Sequence, residues 1–185
     1  MKSILISIQP KWVEKIASGE KTIEVRKTRP KIETPFKCYI YCSRSKNDLF
    51  WLDEEIKDND GLPKGLRAYN SRLGNGSVVG EFICDRVLEW KYLQGLNDEN
   101  EKEYWILSKD GHDTCLSYDE IENYGKGKTL YGWHISDLKI YGKPKELSEF
   151  KSCSKCKYRK IAKICFDCDG FTIKRPPQSW QFVND

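Results

Sequence analysis

Long apolar runs are missing from this chain of 185 residues. A membrane-crossing helix needs about 20 consecutive apolar residues, yet the most apolar N-terminal stretch, Ile4-Leu5-Ile6-Ser7-Ile8, stops at Gln9-Pro10-Lys11. The same stretch is shorter than the roughly 7–15 apolar residues of a secretory signal, and no small-residue cleavage site follows it. The expectation is a cytoplasmic protein with no membrane partner. Histidine is scarce too: the chain has two, His112 and His134, and neither has a neighbour at metal-ligand or triad spacing. There is no internal repeat, which excludes a solenoid or propeller. No strand-helix-strand unit recurs, which excludes a doubly wound sheet.

What is present is charge and aromatic carbon. Charged residues make up 32% and hydrophobic residues 38%, with 6 Trp, 10 Tyr and 7 Phe to build a core. That balance describes a folded domain with a small appendage rather than a disordered chain. The net charge of +4 is unevenly distributed. Residues 1–31 hold eight Lys and Arg against three Glu, and residues 151–185 hold eight against three Asp, so both ends are basic and the middle is acidic. Charges clustered within a Debye length act together on a polyanion.

The hydropathy pattern places the elements. Ile4, Ile6 and Ile8 alternate as a strand does. Pro10 suits the first turn of a helix that carries Trp12, Val13, Ile16 and Ala17, and Gly19 is placed to end it. Thr22-Ile23-Glu24-Val25-Arg26 alternates again, so Thr22, Glu24 and Arg26 share one strand face. Phe36–Cys42, Val78–Leu88 and Thr129–Tyr141 read as further strands. Residues 43–77 between the first two read as an excursion with at most a short helix, and residues 99–107 as a helical turn. Ser117 and Glu120 have capping-box spacing, opening a helix that Gly125 closes. The sum is an α+β fold, a small mixed barrel or sheet.

The run Gly19-Glu20-Lys21-Thr22-Ile23-Glu24-Val25-Arg26 fits G-x-K-x-x-E-x-R, and following a strand and a short helix it resembles the signature of the ASCH domain, a branch of the PUA-like superfamily. Val78-Val-Gly-Glu-Phe-Ile-Cys84 and Tyr131-Gly-Trp-His-Ile-Ser136 resemble that family's middle and closing strands. The resemblance implies a mixed β-barrel of five or six strands with flanking short helices over residues 1–150, with a cleft beside the signature. It also implies RNA or a nucleotide or nucleoside as partner. One bacterial branch resembles an amidohydrolase acting on N4-acetylcytidine through a Lys, a Thr and a Glu. Lys21 matches the Lys, Glu24 stands where the Thr would be, and Glu81 is the match to the Glu.

Read as chemistry, Lys21, Glu24 and Glu81 are the candidate acid-base set, for hydrolysis of an acylated nucleoside or of RNA. Lys21, Thr22, Glu24, Arg26, Trp133 and His134 are the candidate ligand-binding set. Lys21, Glu24 and Arg26 equally suit a structural ion-pair network. His134 suits a packed, hydrogen-bonded role as well as a cleft.

Cys153-Ser-Lys-Cys156 and Cys165-Phe-Asp-Cys168 form C-x2-C-x8-C-x2-C, a spacing that converges four thiolates on one tetrahedral ion. Residues 151–170 are therefore expected to be an annex folded around structural Zn2+, with iron as the other metal such a site accepts. Lys155, Lys157, Arg159, Lys160 and Lys163 make it cationic, for nucleic acid or for a protein partner. Cys38, Cys42, Cys84 and Cys115 are scattered and suit core packing. Residues 171–185 are an extended tail expected to pack back on the barrel, with Arg175, Gln178 and Trp180 bordering the cleft. Lys174-Arg-Pro-Pro-Gln-Ser-Trp180 resembles the endings of some small phage-associated ASCH proteins. Metal analysis of the purified chain is expected to give one zinc per molecule, lost in a Cys153→Ser, Cys156→Ser variant; a metal-free wild type would contradict the annex.

Overall fold

The computed structural model describes residues 2–55, 69–94, 102–104, 112–152 and 170–184. Cys153, Cys156, Cys165 and Cys168, with the rest of the expected metal annex, lie outside the described residues. Among those described, no group of His, Cys, Asp and Glu could hold a metal ion, and no helix is long and apolar enough to cross a membrane.

The chain forms two compact units. One takes Met1–Glu14, Lys37–Glu81 and Lys139–Asp185; the other takes Lys15–Phe36 and Phe82–Leu138. The elements run β1 (Lys2–Ile8), α1 (Pro10–Ala17), β2 (Ile23–Arg26), β3 (Phe36–Cys42), β4 (Trp51–Glu55), β5 (Tyr69–Leu73), β6 (Val78–Cys84) and β7 (Val87–Trp90). They continue with β8 (Tyr92–Gln94), β9 (Lys102–Tyr104), α2 (Tyr118–Gly125), β10 (Leu130–His134), β11 (Ser136–Lys145), β12 (Lys151–Ser152), β13 (Phe171–Thr172) and β14 (Trp180–Asn184).

The first unit is built on a mixed sheet ordered β11-β6-β3-β1-β14-β12-β13. β1 runs parallel to β3, Ile4 opposite Cys38, and antiparallel to β14, Ile6 opposite Trp180. The C-terminal segment thus ends as a strand against the N-terminal one. Ser7 reinforces the join, its backbone N–H donating to Ser179 O at 2.9 Å and its hydroxyl to Pro177 O at 2.7 Å. Leu5, Tyr39, Tyr41, Val78, Phe150, Ile173 and Val183 form its core, each large apolar side chain contributing about 1.5–3 kcal/mol by leaving water.

The second unit has a three-stranded sheet, β2-β10-β7, with α2 against it. Ile23 and Val25 pack with Trp90, Ile121 and Leu130. α2 opens with the expected capping box: Ser117 Oγ accepts from Glu120 N at 3.2 Å and Glu120 Oε2 accepts from Ser117 N at 3.0 Å. Lys126, at φ 51°, takes the left-handed position that ends it.

Several sequence expectations are corrected. The described strands form open sheets, not a closed five- or six-stranded barrel, and sheet dominates with few short helices. The physical reason lies at two breaks. The Val78–Leu88 run divides at Asp85-Arg86 into β6 and β7, and the Thr129–Tyr141 run divides at Ile135 into β10 and β11, so in each case the strand changes sheet partners instead of closing a ring. Ile135 N donates to Thr22 O at 2.8 Å at the second break, and Asp137, at φ 47°, bends the chain just after it. In the 43–77 excursion the described residues form the hairpin β4–β5, Trp51 opposite Leu73, not a helix. Lys102–Tyr104 is a strand paired with Tyr92–Gln94, not a helical turn.

Gly132 shows how tightly the second sheet is packed. A Cβ there would meet Trp90 ring carbons at 2.7 and 2.8 Å and Ile23 at 2.9 Å, so only glycine lets the indole lie on the strand. Gly132→Ala is expected to destabilise the protein by about 1–3 kcal/mol through overpacking, read from the urea-unfolding midpoint; an unchanged midpoint would contradict this packing.

Candidate functional site

Gly19, at φ 81°, reverses the chain after α1, its N–H bonded to Ile16 O at 3.0 Å. Lys21 is thereby folded back, its N–H donating to Lys15 O at 2.9 Å. Thr22 is held on both sides by backbone: its N–H donates to Asp113 O at 3.0 Å and its O accepts from Ile135 N. β2 follows, and all four of its residues are buried.

The charged residues of the signature meet one another here. Arg26 Nη2 lies 2.9 Å from Glu24 Oε1, and Lys21 Nζ lies 3.6 Å from Glu24 Oε2. Lys21 Nζ also donates to Thr114 O at 2.5 Å. Relative exposures are 2% for Lys21, 6% for Glu24 and 7% for Arg26, so this is an interior charge cluster, with two cations on one carboxylate. Burial pushes the Lys21 ammonium below its usual value; the Glu24 charge opposes the shift. Tyr124 of α2, packed against the Ile23 and Val25 core, lies within electrostatic reach of the cluster. Burial raises its hydroxyl pKa, Glu24 adds to the rise, and Arg26 opposes it.

A surface groove begins where β2 ends. It is lined by Lys27, Thr28, Arg29, Pro30, Lys31, Ile32, Glu33 and Tyr131 and encloses about 620 Å³, within the usual range for small-ligand sites. Tyr131 stands directly opposite Arg26 in the β2–β10 register, so both lie on one face of the sheet. Lys27 is fixed by its ammonium resting 4.7 Å from the Tyr124 ring centroid. Among the described residues, the side chains of Arg29, Lys31, Glu33 and Tyr131 make no hydrogen bond or ion pair.

The other expected site residues are placed differently. Trp133 shares the Glu24 face, opposite it in register, but is fully buried with its ring edge-on to Phe36 at 5.6 Å; it is core, not a stacking platform. His134 stands opposite Ile23, on the other face, and its Nδ1 lies 2.6 Å from Asp85 Oδ1. Burial alone would raise Asp85, but the His134 hydrogen bond and charge, with Arg86, hold it below the usual carboxylate value. Glu81 is in the first unit, where Tyr141 donates to its Oε2 at 2.5 Å and Lys37 lies 3.2 Å away. Arg175 and Gln178 are exposed residues of the first unit, and Trp180 packs edge-on against Phe182 at 5.6 Å. Cys38, Cys42 and Cys84 are buried, and burial pushes the thiols of Cys42 and Cys84 up to about 12. Cys115 is only half-buried, at φ 54° beside Glu20 O.

No family model and no curated protein matches the chain. Solved structures do. The ASCH protein of Zymomonas mobilis aligns over 98% of this chain and 87% of its own at a TM-score of 0.54 and 17% identity. Two point variants of it align over 100% and 98% of this chain and 91% and 88% of theirs, at TM-scores of 0.54 and 0.53 and again 17% identity. The fold is that of an ASCH protein. On this ASCH fold the G-x-K-x-x-E-x-R residues form the buried charge cluster, and the groove follows immediately after the signature strand. The groove residues Lys27, Arg29, Lys31, Glu33 and Tyr131 were not singled out by sequence pattern. The excess of basic residues in the first 31 is the one signal that points to Lys27, Arg29 and Lys31, and nothing in the sequence points to Glu33 or Tyr131.

Glu24→Gln leaves Lys21 and Arg26 facing a neutral amide in the interior. Removing one partner of a buried ion pair costs about 3–5 kcal/mol, and a loss of that size is expected in urea unfolding of the variant; a loss below about 1 kcal/mol, the range of exposed pairs, would contradict an interior cluster.

Proposed function

We propose that this ASCH-fold chain binds RNA, with the groove of residues 27–33 holding a single-stranded segment or, as its smallest unit, a nucleotide. The observation that supports this most is that Arg29 and Lys31 line a concavity and, among the described residues, make no ion pair. Arg and Lys side chains placed this way attract phosphate. Tyr131 on the same wall supplies a ring for a base to stack on, the feature that suits a single strand over a duplex. The buried cluster, two cations on one carboxylate, adds a net positive charge at the start of the segment that lines the groove, and interior charges are screened less by salt than surface ones.

A hydrolytic reading, amidohydrolase or ribonuclease, has one observation in its favour: a lysine whose pKa burial has lowered is a better proton acceptor. The same Lys21 is engaged by Thr114 and Glu24, and Glu81 by Lys37 and Tyr141. The Lys21, Glu24 and Arg26 cluster therefore suits the role of a rigid base for the binding groove better than that of an acid-base set. A protein-adaptor role through the annex has no observation of its own.

The test is a fluorescence-anisotropy titration of a short labelled single-stranded RNA at several salt concentrations. Each phosphate contact contributes roughly −0.7 to the log–log slope of affinity against salt. Arg29→Ala combined with Lys31→Ala is expected to make that slope shallower by roughly 1.4 while leaving the melting temperature unchanged, since both side chains are exposed and unpaired. Absent RNA binding, or a slope the double variant does not alter, would overturn the reading.

A further inference from the structure

A groove that binds only phosphate has no use for an acid. Glu33 is the one carboxylate among the groove-lining residues, placed with Lys27, Arg29 and Lys31. It is exposed, and among the described residues it makes no ion pair with those cations or any other. It is therefore neither a structural counter-ion nor part of the buried cluster. Toward phosphate it is repulsive. Toward a nucleobase it has a defined preference, because an ionised carboxylate is an acceptor at both oxygens and a donor at neither.

That rule separates the four bases. Two adjacent acceptors require two adjacent N–H donors on the base edge. On the Watson–Crick edge, guanine alone has such a pair, its ring N1–H beside its exocyclic amino group. Adenine and cytosine place one amino group next to a ring-nitrogen acceptor, and uracil places one N–H between two carbonyls; each sets a lone pair against a carboxylate oxygen. The rest of the groove cannot discriminate. Arg29 and Lys31 meet a phosphate common to all nucleotides, and Tyr131 stacks on any base.

We propose that Glu33 is the specificity-determining residue of the groove, accepting two hydrogen bonds from a guanine base while Tyr131 stacks on it and Arg29 and Lys31 hold its phosphate. This rests on the RNA-binding reading and narrows it to guanine-containing single strands. A bidentate base contact discriminates by about 1–3 kcal/mol, which sets the size of the expected preference.

The experiment measures displacement of the labelled RNA by the 5′-monophosphates of guanosine, adenosine, cytidine and uridine, for wild type, Glu33→Gln and Glu33→Ala. The wild type is expected to prefer the guanosine compound by roughly fivefold or more. In Glu33→Gln the amide offers one donor and one acceptor, a pattern that every base can meet, so the preference should collapse to within about twofold. Glu33→Ala should lose it as well, with the salt slope for RNA intact or steeper because a repulsive charge has gone. Circular dichroism should match wild type in both variants, as expected for an exposed side chain. Wild-type binding to RNA with all four monophosphates equal, or a guanine preference that survives Glu33→Gln, overturns this inference and leaves RNA binding standing. No binding to RNA at all overturns both.

Discussion

Two cations and a carboxylate, all more than nine-tenths buried, must be held together or the signature strand cannot exist in the form seen here. Lys21, Glu24 and Arg26 come from one turn and one short strand, and each loses most of its water. Desolvating ions is expensive unless geometry returns the energy. Here Glu24 bridges both cations, and Thr114 O takes a further bond from Lys21. The constraint spreads outward from there. Gly19 must reverse the chain, and Thr22 must be clamped by Asp113 and Ile135.

The groove follows directly on the buried cluster. β2 ends at Arg26, and the next residues leave the sheet as an irregular, proline-bearing segment whose start is pinned by Lys27 on Tyr124. Among the described residues, Arg29 and Lys31 on this segment make no ion pair. An interior that fixes position beside a rim left exposed is the arrangement the proposed binding role requires.

Local pattern in the sequence was a good guide where short-range physics decides. Strand alternation at Ile4–Ile8, the Gly19 stop and the Ser117/Glu120 capping box all appear as their residue types dictate. The closeness of Glu24 and Arg26 also follows from strand period, whereas Lys21 precedes the strand and reaches Glu24 from the turn after α1. What was illegible depends on partners far along the chain. Nothing in Val78–Leu88 or Thr129–Tyr141 announces that each breaks and exchanges sheets, because either half alternates equally well. Trp133 stands among the candidate ligand-binding residues because an exposed and a buried tryptophan read alike in sequence; Phe36 and the β2 neighbour decide. The parity of His134 depends on the β2–β10 register, which fixes Ile23 opposite it. Arg29, Lys31 and Glu33 recur two apart as strand residues would, yet the segment forms no strand, and that they make no ion pair among the described residues is something sequence cannot display.

The most direct measurement is a backbone chemical-shift titration of the 15N-labelled protein with single-stranded RNA. The account predicts that the largest perturbations fall on residues 27–33 and Tyr131, with Lys21 and Glu24 moving little because their contacts are internal. Perturbations centred on the Lys37, Glu81 and Tyr141 face of the first unit, with residues 27–33 unmoved, would contradict it.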